Sequence, residues 1–234
     1  QGARRLTLHD LAGPGDLRAE FMRQHVGMAP AARAQAFEAL RAIPAAWRLG
    51  DDYLEGIESA NVVFAPQAWY LYPRNRDALG GARASGVPFF GLMDLYFGLS
   101  AARIVAVTGS NGKSTTSRLI EHALAASAQR TYYAGNERRS VQVLDALAGM
   151  APDDRLVLEV SNRHLIDLAP TPFIGVVTNV LPNHLDEHGG DFDAYAAIKR
   201  KLVAHVEADG WAVLNADNDA TRAMAGTIDG RVAW

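Results

Sequence analysis

Thr108-Gly109-Ser110-Asn111-Gly112-Lys113-Ser114-Thr115 stands directly after the apolar run 103–108 (RIVAVT) and directly before a stretch that reads as a helix over 114–127. A continuous apolar run of strand length, closed by glycine, predicts a strand buried on both faces. Gly109 and Gly112 let the chain turn tightly and approach a ligand with no Cβ in the way. Backbone N–H groups of such a loop, with the helix N-terminus behind them, point at an anion. Lys113 adds a compact positive charge for terminal phosphates, and Ser114 a hydroxyl for Mg²⁺. The common form of this loop has a glycine five residues before Gly112, where this chain has Val107, so this is a shortened relative. The expected ligand is ATP. The competing reading is a Gly-rich turn that merely joins strand to helix.

Working outward, alternation is regular downstream. Strands are expected at 131–134, 155–160, 173–180, 211–215 and from 231. Helices are expected at 140–147, 192–206 and about 218–225. Apolar strands separated by helices predict a parallel sheet covered on both faces. Upstream the pattern is irregular but still α/β. Strands are expected at 4–9, 61–65 and 87–91, and helices at 28–43, with Pro30 in the first turn, and 74–85. A helical turn follows at 92–97. The division expected is 1–98 and 99–234, a partial Rossmann-like domain followed by a P-loop NTPase-like parallel-sheet domain.

Composition narrows the function classes. Of 234 residues, 49% are hydrophobic, enough for a real core and contrary to disorder. Lys plus Arg is 23 against 26 Asp plus Glu, so the broad basic field of a nucleic-acid binder is missing. No stretch reaches the ~18 apolar residues of a membrane span. The chain has no cysteine, which removes disulfides, zinc thiolates and thiol nucleophiles and fits a reducing, cytoplasmic setting.

Three further segments carry candidate chemistry. In 156–161 (LVLEVS), Glu159 falls near the carboxyl end of an apolar strand, the edge that faces the ligand crevice in open α/β sheets. A carboxylate there meets a cation, either Mg²⁺ or a salt-bridge partner at the strand end. The loop 179–190 (NVLPNHLDEHGG) holds two histidines. His184 is the better ligand candidate, flanked by apolar Leu185 and nearer the strand, whereas His188 reads as an exposed turn residue. In 195–206 (YAAIKRKLVAHV), Tyr195, Ile198, Leu202 and Val206 form one stripe, and Lys199 adjoins it. Such a lysine either snorkels to solvent or, held neutral near the core, can take up CO₂ as a carbamate.

TGSNGKST, LEVSNRHL, TNVLPNHLDEH, AYAAIKRKL and VLNADND, in that order, resemble the central domain of the Mur ligases, ATP-dependent enzymes that add amino acids to the UDP-N-acetylmuramoyl precursor of peptidoglycan. The resemblance covers about 103–234. Ser110-Asn111 in the loop, Asn183-His184-Leu185-Asp186, and the upstream Tyr72-Pro73-Arg74-Asn75 and Gly86-Val87-Pro88 look most like the D-glutamate-adding members. The resemblance implies an amide ligase that joins D-glutamate to UDP-N-acetylmuramoyl-L-alanine through an acyl phosphate, acting as a monomer.

It also implies roles for residues. Gly109, Ser110, Asn111, Gly112, Lys113, Ser114 and Thr115 would hold ATP, with Lys113 on the γ-phosphate. Ser114 and Glu159 would share one Mg²⁺. His184 would bind a second, together with Lys199 as its carbamate. Asn136 and Ser161 would approach the muramoyl substrate. Ser161-Asn162 departs from the family's usual Ser-Ser, and Arg163-His164 is unusual beside it. The family pattern further implies an N-terminal UDP-binding domain short of its first strand and Gly-rich turn, and a C-terminal domain that is absent; independently of it, a first residue Gln1 rather than Met reads as a trimmed start. The rival readings are a diaminopimelate- or lysine-adding or folylpolyglutamate-type relative, a P-loop ATPase or kinase without ligation, and a non-catalytic nucleotide-binding fragment.

Overall fold

The computed structural model describes residues 5–135, 143–183 and 189–234. The chain forms two compact units, with the boundary between Phe90 and Gly91.

The first unit contains two parallel strand pairs, each joined by a helical crossover. β1 (Thr7–Asp10) runs through α1 (Leu17–Gln24) and α2 (Pro30–Ala42) to β2 (Ala46–Leu49). Pro30 opens α2, where a missing N–H costs nothing. β3 (Val63–Phe64) runs through α3 (Arg76–Ala84) to β4 (Phe89–Phe90). The core beneath the second pair gathers Tyr53, Ile57, Leu79, Ala82 and Val87. Asn75 is fully buried there, accepting from the Tyr53 hydroxyl and donating to the Trp69 carbonyl. Parallel strands with helical crossovers are the Rossmann-like element expected of this half.

α4 (Leu92–Leu99) falls on the other side of the boundary from the expected division at 98. Its buried Met93 and Tyr96 share the core of the second unit, and the Tyr96 hydroxyl accepts from the Val143 N–H.

The second unit is a six-stranded parallel sheet in the order β10-β9-β8-β5-β7-β6. In chain order these are β5 (Arg103–Thr108), β6 (Thr131–Ala134), β7 (Arg155–Glu159), β8 (Ile174–Val177), β9 (Trp211–Leu214) and β10 (Arg231–Ala233). α5 (Lys113–Ala126) places Ile120 and Leu124 against Val105, Tyr133 and Val157 on one face. The other face carries Ile104, Ala106, Leu156 and Leu158, packed with α4, with Leu165 of α6 (Asn162–Leu165) and with Leu202 of α7 (Phe192–Ala204). Toward β9, Tyr195 and Val203 of α7 join Met224 of α8 (Asp219–Met224) over Val177, Ala212 and Leu214.

From β5 the chain winds out to β6 and back to β7, then crosses to β8 on the opposite side of β5. The winding direction therefore changes at β5, and the crevice at its carboxyl end is where such sheets bind ligands.

One expected element differs. The helix read over 140–147 is a short 3₁₀ segment, Leu144–Gly149, among the described residues, with only Leu147 buried. With so little apolar surface to bury, it cannot sustain a longer helix.

Candidate phosphate-binding site at the carboxyl end of β5

β5 is buried from Ile104 to Thr108, so the loop 109–112 starts at the sheet's carboxyl edge. Gly109 has φ +149°, and a Cβ there would lie 1.9 Å from Thr178 Oγ1. Only glycine lets the loop pass this close to the strand-end segment after β8. Gly112, at φ +82°, is the residue before α5. The Thr116 N–H makes the first turn's bond to the Gly112 carbonyl. Helix geometry then leaves the N–H groups of Lys113, Ser114 and Thr115 to face outward at the positive end of the dipole.

The segment after β8 grips the loop. Ser110 N–H donates to the Asn179 carbonyl at 2.9 Å, and Asn111 N–H to Asn179 Oδ1 at 3.0 Å. Thr178 Oγ1 and Asn179 Nδ2 both donate to the Asn111 carbonyl, at 2.6 and 3.2 Å. A second layer braces the first. Asn215 Nδ2 donates to the Thr178 carbonyl, and the Asn218 amide closes on both the N–H and the carbonyl of Val180. Asn218 also caps α8 by accepting from the Thr221 N–H. The stretch VLNADND gives no sign of this bracing, because an Asn pair carries no marker of which backbone it will hold.

Two lysines converge on the loop. Lys113 Nζ donates to the carbonyls of Gly109 at 2.9 Å and Ser110 at 3.2 Å. Lys199 Nζ, on α7, donates to the same Gly109 carbonyl at 3.2 Å. Lys199 is 1% exposed, which removes the snorkelling alternative. Its ammonium lies 4.6 Å from the centre of the Tyr195 ring. Burial, and then the nearby charge of Lys113, lower its pKa to about 7.

Glu159 ends β7 in register with Val107 of β5 and is 4% exposed. Its Oε2 is buried with no hydrogen-bond partner among the described residues, as is Thr108 Oγ1 at the end of the neighbouring strand. Orphaned buried oxygens are expensive. Hard oxygen donors beside a phosphate loop fit Mg²⁺, with half-buried Ser114 in the first turn of α5 as a further oxygen.

Ser161 is the N-cap of α6. Its Oγ accepts from the His164 N–H at 3.4 Å, while His164 Nδ1 accepts from the Ser161 N–H at 3.2 Å. The unusual His164 thus fills the place that Glu or Gln takes in a capping box. Accepting at Nδ1 requires the neutral ring. Burial, and then the charge of Arg163, lower the His164 pKa to about 4. The candidate residues Asn136 and His184 lie outside the described residues. Among those described, no group of three or more His, Asp or Glu side chains forms a metal cluster. No described helix is long and apolar enough to cross a membrane.

Residues 107–232, more than half of the chain, match the Mur ligase middle domain. The chain is 33% identical to UDP-N-acetylmuramoylalanine–D-glutamate ligase of Acetivibrio thermocellus, over 80% of this chain and 39% of that protein. It is 39% identical to the enzyme of the same name from Cereibacter sphaeroides, over 72% of this chain and 38% of that protein. The chain therefore spans about two fifths of the length of these curated relatives. Among solved structures, its fold resembles the UDP-N-acetylmuramate:L-alanyl-γ-D-glutamyl-meso-diaminopimelate ligase of Neisseria meningitidis. That likeness has a TM-score of 0.55 at 17% identity and covers 97% of this chain and 77% of that one. A parallel sheet with a shortened phosphate loop after its central strand, matched to the middle-domain model across that sheet, settles the family: the chain belongs to the Mur ligases.

Proposed function

We propose that this chain is the nucleotide-binding part of an ATP-dependent ligase that joins D-glutamate to UDP-N-acetylmuramoyl-L-alanine. The observation that carries the reading is the pairing of the 109–115 loop with the unpartnered Glu159 Oε2 one strand away. The D-glutamate assignment rests on the names of the relatives.

The chemistry is amide formation from a carboxylate, which needs activation. ATP phosphorylates the alanyl carboxylate, the amine of D-glutamate attacks the resulting acyl phosphate, and phosphate leaves. Two anions must approach each other in the first step, so the protein's task is positioning and charge neutralisation. The loop N–H groups and the α5 N-terminus orient the phosphates. Lys113 exchanges the Gly109 and Ser110 carbonyls for phosphate oxygens. Ser114 and Glu159 hold one Mg²⁺, and His184 with carbamylated Lys199 a second. When bound, the metal lowers the repulsion between the phosphates and the incoming carboxylate. Lys199 is suited to carbamylation because, near neutral pH, burial keeps a substantial share of it as the free amine. Asn136 and Ser161 would contact the muramoyl acceptor.

The test is calorimetric titration of this chain with a non-hydrolysable ATP analogue and Mg²⁺, then with UDP-N-acetylmuramoyl-L-alanine. Mg²⁺-dependent nucleotide binding that Lys113→Ala abolishes is expected, followed by saturable binding of the acceptor but not of a muramoyl tripeptide. Nucleotide binding unchanged by Lys113→Ala would overturn the loop assignment. Equal binding of the tripeptide would overturn the D-glutamate assignment.

A further inference from the structure

Tyr195 is 1% exposed and belongs to the apolar stripe of α7, yet its hydroxyl leaves that stripe and meets Ser110 Oγ at 3.1 Å. Ser110 Oγ also donates to the Leu181 carbonyl at 3.1 Å and accepts from the Leu181 N–H at 2.9 Å. The two hydroxyls therefore share one hydrogen bond across from α7 to the loop. Four residues further along α7, Lys199 donates to the carbonyl of Gly109. One helix face thus holds two consecutive loop residues, by a charged contact at Gly109 and a neutral one at Ser110.

The two holds differ in durability. The Lys199 contact depends on a charged ammonium, which the carbamylation proposed above would remove. The Tyr195 contact joins two neutral hydroxyls and comes from a ring that is itself buried. We propose that Tyr195 is a positioning residue that keeps the phosphate loop docked on α7 whatever the state of Lys199, and so sets nucleotide affinity without touching nucleotide. The inference rests on the nucleotide-loop reading for its functional consequence, and on the hydrogen bonds alone for the docking itself.

Tyr195→Phe removes the hydroxyl and keeps the ring over Lys199, so the fold is retained. Two measurements separate the docking from the nucleotide reading. Amide hydrogen exchange without nucleotide is expected to quicken about five-fold at Ser110 and Asn111 on loss of one such bond, while the amides of Val105 and Val107 stay as in wild type. Unchanged exchange at 110 and 111 would overturn the proposal. So would an equal rise along β5, which would mark Tyr195 as a core residue only. Titration with ADP and Mg²⁺ is expected to show about five-fold weaker binding for Tyr195→Phe and a larger loss for Ser110→Ala, which also gives up both Leu181 contacts, with the double variant no weaker than Ser110→Ala alone. Additive losses in the double variant would overturn a route through Ser110. If wild type bound no ADP, the nucleotide reading would fall, and the exchange result would still decide the docking.

Discussion

Replacing Lys199 with Met makes the buried ammonium measurable. Met has a similar length and no charge, and the site is lined by Tyr195 and closed to solvent. In the folded state Lys199 titrates at about 7, lowered first by burial and then by Lys113, against 10.5 ordinarily. Between those values the unfolded chain binds more protons than the folded one, so wild-type stability rises with pH across the window. The penalty is full below pH 7 and is relieved as pH climbs toward 10.5. The slope is about 1 kcal/mol per pH unit near pH 8, or about 2 kcal/mol between pH 7 and 9. Lys199→Met lacks this slope. The variant is therefore expected to exceed wild type at pH 7, with the gap narrowing by about 2 kcal/mol at pH 9. The assay is urea unfolding of the second unit at pH 7, 8 and 9, in buffers purged of CO₂ so that carbamate formation adds no proton-linked contribution. A gap that stays constant with pH would refute a buried, charge-suppressed lysine.

Other outcomes follow from the same geometry. Glu159→Gln replaces a buried carboxylate whose Oε2 has no partner among the described residues with a neutral amide, and is expected to raise the unfolding midpoint without Mg²⁺ while weakening Mg²⁺-dependent nucleotide binding at least ten-fold, about 1.4 kcal/mol. Calorimetry and thermal unfolding read the two effects, and nucleotide binding at wild-type strength would refute the metal role. Gly109→Ala must force a Cβ into Thr178 Oγ1 at a φ that disfavours any side chain, so a loss of about 1–3 kcal/mol and of nucleotide binding is expected in urea unfolding and titration. Wild-type stability in that variant would refute the close approach. His164 holds its folded pKa below the ordinary 6.5, so stability is complete above 6.5 and is lost as pH falls toward 4. His164→Gln keeps a capping side chain and should flatten that acid decline, as urea midpoints at pH 7 and 5 would show.

The parts of the fold legible in the sequence were those with a strong apolar signal. β5, β6, β7 and β9 begin and end within a residue or so of the expected runs; β5 and β7, buried on both faces, read as unbroken apolar segments, and β6 and β9 as short apolar runs between turn residues. α1, β2 and α6 were not anticipated. α1 buries only Leu17, β2 alternates exposed and half-buried residues and pairs, among the described residues, with β1 alone, and α6 is a single turn held by its cap rather than by an apolar face. At the site, the loop and Glu159 declared themselves through residue type and place. The burial of Lys199 did not, since spacing put it beside the stripe and the third dimension put it beneath Tyr195. Tyr195 belongs to the core its stripe indicates, and nothing in the sequence marks its hydroxyl for the loop it meets.

The order of strands across the large sheet also bears on how the protein is made. β5 sits at the centre, yet its neighbours are β7 and β8, and the next strand in the chain, β6, pairs only with β7. As the polypeptide leaves the ribosome, RIVAVT emerges some fifty residues before the first strand able to pair with it. Its second edge stays open until residues 174–177 have been made. Closing such distant pairings is slow, and an apolar strand with two free edges invites association with other nascent chains in the interval. The α5 segment, made immediately afterwards, can cover Val105 through Ile120 and Leu124 well before the sheet closes. Thus the helix that aims its N-terminus at the loop in the finished protein also shelters the Val105 face of the central strand during synthesis, while α4, made before β5, is already at hand for Ile104 and Ala106.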